Sequence, residues 1–179
     1  MSKLGKKPII IPKDTKVKLE SGRLILTGPK GSKELTLNDK IFTATIANDK
    51  NLILKLIKKN ETSSIMWGTT RSIINSALIG VSAGHEKTLE LNGIGFRANL
   101  KENVLNLQIG FSHNVTYRIP DGIKLTVEKS TIIKIMGIDK ELVGNVASEI
   151  KMLKPIEPYK GKGIKERGEF VLRKEGKKK

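Results

Sequence analysis

The stretch Thr62-Ser63-Ser64-Ile65-Met66-Trp67-Gly68-Thr69-Thr70-Arg71-Ser72-Ile73-Ile74-Asn75-Ser76-Ala77-Leu78-Ile79-Gly80-Val81 is where the hydrophobic period of the chain changes. Met66, Thr70, Ile73, Ile74, Ala77, Leu78 and Val81 recur at spacings of three and four. That spacing predicts an amphipathic helix of about five turns. Thr62-Ser63-Ser64 provides hydroxyls for its N-cap, and Gly80 or Gly84 ends it. Upstream, over residues 8–60, the period is two. Val17 and Leu19 alternate with Lys16, Lys18 and Glu20, and Leu35, Leu37, Phe42, Ala44 and Ile46 continue the pattern to Leu52-Ile53-Leu54-Lys55-Leu56. Ser21-Gly22, Gly28-Pro29-Lys30-Gly31 and Asn48-Asp49-Lys50-Asn51 read as turns between short strands, so the region is expected to be an antiparallel meander.

Downstream of Gly84 the two-residue period resumes. Leu89 and Leu91, then Leu105, Leu107 and Ile109, then Val115, Tyr117 and Ile119, then Ile123, Leu125 and Val127 alternate with polar residues. Ile132-Ile133-Lys134-Ile135 follows, and a second helix is expected over roughly 140–153, with Val143, Val146, Ala147, Ile150 and Leu153 on one face. The order strands, helix, strands, helix suggests a duplication. A partial echo supports it: Ile11-Pro12-Lys13-Asp14-Thr15-Lys16-Val17-Lys18-Leu19-Glu20 resembles Ile119-Pro120-Asp121-Gly122-Ile123-Lys124-Leu125-Thr126-Val127-Glu128. The fold class read from this is α+β, with two similar small domains, each a mainly antiparallel sheet packed on one helix. The expected domains are 1–82 and 83–179, joined near Ser82-Ala83-Gly84.

The chain has 179 residues and a formal net charge of +16, which points to nucleic acid or an anionic membrane surface. The excess is at the ends. Residues 1–18 carry +5 and residues 151–179 carry +7, leaving +4 over the long middle. With no cysteine, disulfides, thiol catalysis and thiolate metal sites are excluded. No stretch approaches the roughly 18 apolar residues of a membrane span, and the N-terminus has no signal-peptide core. The expected location is cytoplasmic, or the matrix of an organelle that encodes its own copy.

The charge at the C-terminal end surrounds one loop, Lys154-Pro155-Ile156-Glu157-Pro158-Tyr159-Lys160-Gly161-Lys162-Gly163-Ile164. The prolines forbid helix continuation. Cations then stand between residues without a Cβ, where backbone can approach a surface closely and offer N–H groups to oxyanions. Tyr159 beside such a strip can stack on an unpaired base or ribose. The expected loop is extended. Lys160 and Lys162 are its phosphate cations, and Gly161 and Gly163 are points of close approach. Lys151, Lys154, Lys165, Arg167, Arg173, Lys174, Lys177 and Lys178 are its flanking cations, while Lys3, Lys6 and Lys7 form a basic N-terminal arm. The first half, apart from that arm, is expected to contribute little RNA affinity.

Other candidates reduce to structural readings. His85 and His113 have no carboxylate at helical spacing, so no metal pair forms from them. Gly93-Ile94-Gly95 lacks the third glycine of a dinucleotide fingerprint. No acid, base or nucleophile cluster suggests catalysis, so the chain reads as a non-enzyme without cofactor, metal or small-molecule substrate. Trp67 reads as a core or interdomain plug, because tryptophan usually buries most of its area.

Several segments in order resemble the family of bacterial ribosomal protein L six of the large subunit. They are Met1-Ser2-Lys3-Leu4-Gly5-Lys6-Lys7-Pro8-Ile9, Gly68-Thr69-Thr70-Arg71-Ser72-Ile73-Ile74-Asn75, Leu89-Glu90-Leu91-Asn92-Gly93-Ile94-Gly95-Phe96-Arg97-Ala98 and Pro158-Tyr159-Lys160-Gly161-Lys162-Gly163-Ile164. Gly168-Glu169 and the run from Arg173 to Lys178 complete the resemblance. It departs from the family pattern at Trp67, His85, Ile156 and Lys165-Glu166, the last pair replacing Arg-Tyr. The resemblance implies duplicated α+β halves and a structural place in the large ribosomal subunit. It also implies binding to large-subunit ribosomal RNA through the C-terminal half, near the site where translation factors dock. The implied partners are that RNA, neighbouring ribosomal proteins and translation factors in transit. The alternative class is a free-standing nucleic-acid-binding regulator, which would need a sequence-reading element such as a helix-turn-helix.

Overall fold

The computed structural model describes residues 4–20, 22–47, 50–57 and 60–176. Two units arise: Met1–Gly84 with Ile138–Lys140, and His85–Gly137 with Glu141–Lys179. Residues 138–140 thus group with the first unit although they lie in the second half of the sequence.

The first unit runs β1 (Ile9–Ile10), β2 (Lys16–Glu20), β3 (Arg23–Gly28), β4 (Gly31–Thr36), β5 (Phe42–Ala47), β6 (Asn51–Leu56) and α1 (Glu61–Ser82). The expected meander is in fact two antiparallel sheets, β2-β3-β4 and β1-β6-β5. The chain leaves one sheet for the other at a tight turn, where Asn38 O accepts the N–H groups of both Ile41 and Phe42. Period-two patterning holds within each sheet: Leu24 and Leu26 of β3 and Leu52 and Leu54 of β6 are buried in one core.

Helix α1 covers that core with Trp67, Ile74, Ala77, Leu78 and Val81. Met66, Thr70 and Ile73, expected on the buried stripe, lie outside it; Met66 and Ile73 are 45% and 43% exposed. Apolar residues occur on more than one side of this helix, Ile65 among the exposed ones, so spacing alone does not choose the packed face. Trp67 supplies the deciding interaction, since its Nε1–H donates to Leu54 O at 2.9 Å. Asn60 is the N-cap, just before the expected Thr62-Ser63-Ser64, and Ser63 Oγ accepts the Asn60 N–H at 2.8 Å. It ends where Ala83 and Gly84 both donate to Ile79 O, with Gly84 at φ +85°.

The second unit runs β7 (His85–Asn92), β8 (Arg97–Lys101), β9 (Val104–Gln108), β10 (Val115–Arg118), β11 (Ile123–Glu128), β12 (Ile132–Gly137), α2 (Lys140–Leu153) and β13 (Gly163–Glu166). Its sheets are β10-β9-β8 and β11-β12-β7-β13, again antiparallel throughout. Val143, Val146, Ala147 and Ile150 of α2 are buried with Leu89, Leu105 and Ile135. The two units share a plan of one strand, a three-stranded meander, a hairpin and a helix. In each, the second hairpin strand pairs with the opening strand, β6 with β1 and β12 with β7. The duplication is therefore visible in topology. The sequence echo, however, aligns unlike strands: residues 11–20 end in β2, the first meander strand, whereas residues 119–128 end in β11, whose counterpart is β5. Alternating Ile, Leu and Val behind a proline turn suits any half-buried strand, so the pattern does not say which one. Among the described residues β13 has no counterpart in the first unit.

Candidate nucleic-acid interface

The basic loop is held at both ends. Helix α2 stops at Leu153, and Pro155 excludes Lys154 from the helical conformation. At the far end Ile164 donates its N–H to Lys154 O at 2.9 Å and buries its side chain completely in the second unit's core. Burial of one isoleucine side chain contributes about 1.5–3 kcal/mol. The strand that follows adds to β7 in the register Gly163↔Asn92 through Glu166↔Leu89.

Between these anchors the loop is a closed turn rather than the expected extended strip. Glu157 N–H donates to Lys162 O and Gly161 N–H to Glu157 O, each at 2.9 Å. Gly161 takes φ +68°, a left-handed conformation that turns the chain back on itself. Its N–H is therefore satisfied inside the turn and is not offered to an oxyanion. Gly163 takes φ +143°, and a Cβ there would stand 2.6 Å from Pro155 O and 2.7 Å from Ile156 Cα. Close approach is required at Gly163, but to the chain's own backbone.

The tail folds back on this turn. Lys174 N–H donates to Pro158 O at 3.0 Å, and the Arg173 guanidinium lies 3.2 Å from where a Gly161 Cβ would be. Lys160, Lys162, Arg173 and Lys174 are all exposed, so four cations share one turn-and-tail surface, with Tyr159 56% exposed among them. Arg167, also exposed, is fixed by its N–H to Thr88 O at 2.9 Å.

Other expected cations are engaged within the fold. Lys151 Nζ lies 2.6 Å from Glu169 Oε1, and Glu169 Oε2 accepts the Glu166 N–H at 3.0 Å. The Lys151 hydrogen bond first, and the Glu166 N–H second, hold the Glu169 carboxyl below its ordinary range. Lys165 pairs with Glu90 at 3.1 Å across the β13–β7 ladder, and Glu166 pairs with Lys87 at 3.0 Å. The Lys165-Glu166 departure from the Arg-Tyr pattern thus has a structural account as two cross-strand pairs. Each such half-exposed pair contributes no more than about 1 kcal/mol. Lys154 is turned onto an aromatic ring, its Nζ 4.6 Å from the Phe111 centroid.

In the first unit, Lys6 and Lys7 are exposed. Arg71 secures that arm by donating from Nε to Lys7 O at 2.9 Å and from Nη2 to Pro8 O at 3.3 Å. Lys3, Lys177 and Lys178 lie outside the described residues. Trp67 is a core residue of this unit, 9% exposed, with the Gly5 backbone packed against its indole.

Phe111 and His113 form an aromatic pair that the sequence does not announce, His113 being weighed there only as a metal ligand. Both are exposed, and their rings stand 6.1 Å apart at an interplanar angle of 14°. The available signal was a phenylalanine in a polar loop, Gly110-Phe111-Ser112-His113-Asn114, between two strand patterns. Phe170 and Leu172 are also exposed, 87% and 67%, in the basic tail. Among the described residues no three His, Asp or Glu side chains are grouped to hold a metal, and no helix is long and apolar enough to cross a membrane. A hollow of about 150 Å³ beside the turn, lined by Asn92, Ile156, Lys165, Glu169 and Arg173, is below the usual size of a small-molecule site.

Residues 92–167 match the family model described as Ribosomal protein L6. Over 179 residues the chain is 43% identical to large ribosomal subunit protein uL6 of Novosphingobium aromaticivorans, with both chains fully covered. It is 48% identical over 185 aligned residues to large ribosomal subunit protein uL6m of Reclinomonas americana, again with full coverage of both. The uL6 protein of Staphylococcus epidermidis is 44% identical over 177 residues, covering 99% of this chain and 98% of its own.

Proposed function

We propose, from the premise that the chain belongs to the ribosomal protein L6 family and is a structural constituent of the large ribosomal subunit rather than an enzyme, that its second unit grips large-subunit ribosomal RNA through the turn at 157–162 and the tail folded onto it. The observation that carries this reading is the Lys174 N–H to Pro158 O hydrogen bond. It brings the exposed Arg173 and Lys174 against the turn that bears Lys160 and Lys162. A cluster of cations on a hydrogen-bonded frame loses less conformational freedom on meeting phosphates than cations on a loose tail. Lys151 and Lys165 take the smaller role of fixing that frame through Glu169 and Glu90. Lys6 and Lys7 add a phosphate contact from the first unit, which otherwise serves as a spacer and a surface for neighbouring proteins. In the assembled subunit the second unit lies near the region where translation factors dock.

The test is titration of the full chain against a large-subunit RNA fragment at several salt concentrations. The Lys160→Ala/Lys162→Ala variant should bind more weakly and with a shallower salt dependence. Unchanged affinity and slope would remove the turn from the interface. Co-sedimentation with large subunits in a sucrose gradient checks assembly, and protein left at the top of the gradient at low salt would contradict it.

A further inference from the structure

We infer that Phe111 and His113 form a stacking platform for an unpaired base of the RNA, and that Lys154 moves from the Phe111 ring to the adjoining phosphate when that base arrives. This rests on the RNA-binding reading of the second unit and extends its site to a loop which the charge pattern does not mark.

Three observations lead there. First, aromatic residues are scarce in this chain at 4%, and two exposed rings, Phe111 at 46% and His113, stand side by side in one short loop. Second, the rings of Phe111 and His113 lie nearly parallel, at 14° with centroids 6.1 Å apart, and the ring face that Lys154 covers is the one a base would take. Flat aromatic surfaces accept any base, because every base has a π-face, and they require the base to be unstacked from its neighbours. Third, Lys154 connects this surface to the basic turn. Its Nζ rests 4.6 Å from the Phe111 centroid, and its carbonyl accepts the Ile164 N–H at the root of that turn. A cation over an exposed ring is held weakly. A phosphate beside the incoming base is a stronger partner, so the ammonium exchanges one for the other without backbone movement.

Gly110 makes the loop possible. At φ +79° it adopts a conformation that L-residues rarely take. The Phe96 ring lies 3.3 Å from where its Cβ would be.

The experiment compares Phe111→Leu, Phe111→Trp and Lys160→Ala/Lys162→Ala in the full chain against the same large-subunit RNA fragment across a salt series. Stacking on one base corresponds to about 5–150-fold in affinity on truncation. Phe111→Leu should therefore weaken binding by that factor, with the salt slope falling by no more than the single phosphate contact of Lys154. The lysine variant should lower the slope. Phe111→Trp should retain affinity and show fluorescence quenching when RNA is added, against the background of the buried Trp67. If Phe111→Leu binds like the unaltered chain while the lysine variant is weakened, the platform is wrong and the RNA-binding reading stands. If neither variant changes binding, both fall. If Phe111→Trp keeps its affinity without quenching, the ring lies outside the RNA contact and the platform is overturned even where Phe111→Leu is weakened.

Discussion

Replacing Gly163 by alanine should release the basic turn from the domain that carries it. The new methyl group would stand 2.6 Å from Pro155 O and 2.7 Å from Ile156 Cα, both backbone atoms that cannot rotate away. Overpacking of this kind costs about 1–3 kcal/mol. The backbone at φ +143° adds about 1–3 kcal/mol for a residue with a side chain. Together they reach about 2–6 kcal/mol, comparable with or larger than the roughly 1.5–3 kcal/mol that burial of Ile164 contributes to holding β13 in place. The strand should therefore detach locally before the whole unit unfolds, since an edge element opens at a lower free energy than the core. Hydrogen exchange resolves the two. The amides of Ile164 and Arg167, bonded to Lys154 O and Thr88 O, should lose protection, while those of Leu89 and Ile135 in the central strands change little. Gly161→Ala is the comparison. Its nearest neighbour is the mobile end of Arg173 at 3.2 Å, so only the left-handed φ remains, about 1–2 kcal/mol. Equal protection of Ile164 in Gly163→Ala and the unaltered chain would refute the steric argument.

Three further outcomes follow from the same geometry. Trp67→Phe removes the donor to Leu54 O and should destabilise the first unit by about 1–3 kcal/mol in denaturant melts; no loss would mean that the indole contributes packing alone. In the salt series, Lys160→Ala and Lys162→Ala should each lower the slope of log K against log salt by about 0.7–0.9, if the DNA values carry over to RNA. Glu169→Gln should be destabilising at neutral pH and indistinguishable from the unaltered chain in strong acid. The Glu169 carboxyl is depressed in the folded state, so its stabilisation is complete above the ordinary value of about 4.5 and disappears as pH falls through the lower folded value. A difference between the two that grew on acidification would reverse the sign and exclude the Lys151 pair as its source.

The sequence by itself determined the elements whose information is local. The change of period at 62–81 marked α1, and spacing at 140–153 placed α2 with its buried face, because a helix that is apolar on one side only can pack in one way. The concentration of charge at the C-terminal end was equally readable, since it needs only counting. Tertiary structure decided whatever depends on a partner distant along the chain. Trp67 reaching Leu54 chose which side of α1 is buried, where Met66 and Ile73 had looked equivalent. The split of residues 8–60 into two sheets depends on pairing between β1 and β6, which no alternation pattern encodes. The turn at 157–162 closed because Gly161 takes a left-handed φ and donates its N–H to Glu157 O while Gly163 lies against the backbone of Pro155 and Ile156, and Lys151 and Lys165 were withdrawn from the outer surface by Glu169 and Glu90. Cations are equivalent in a sequence. Which of them meet an acid is settled by strand register and by the fold of the tail, and that division separates the charges that build the frame from those left to hold RNA.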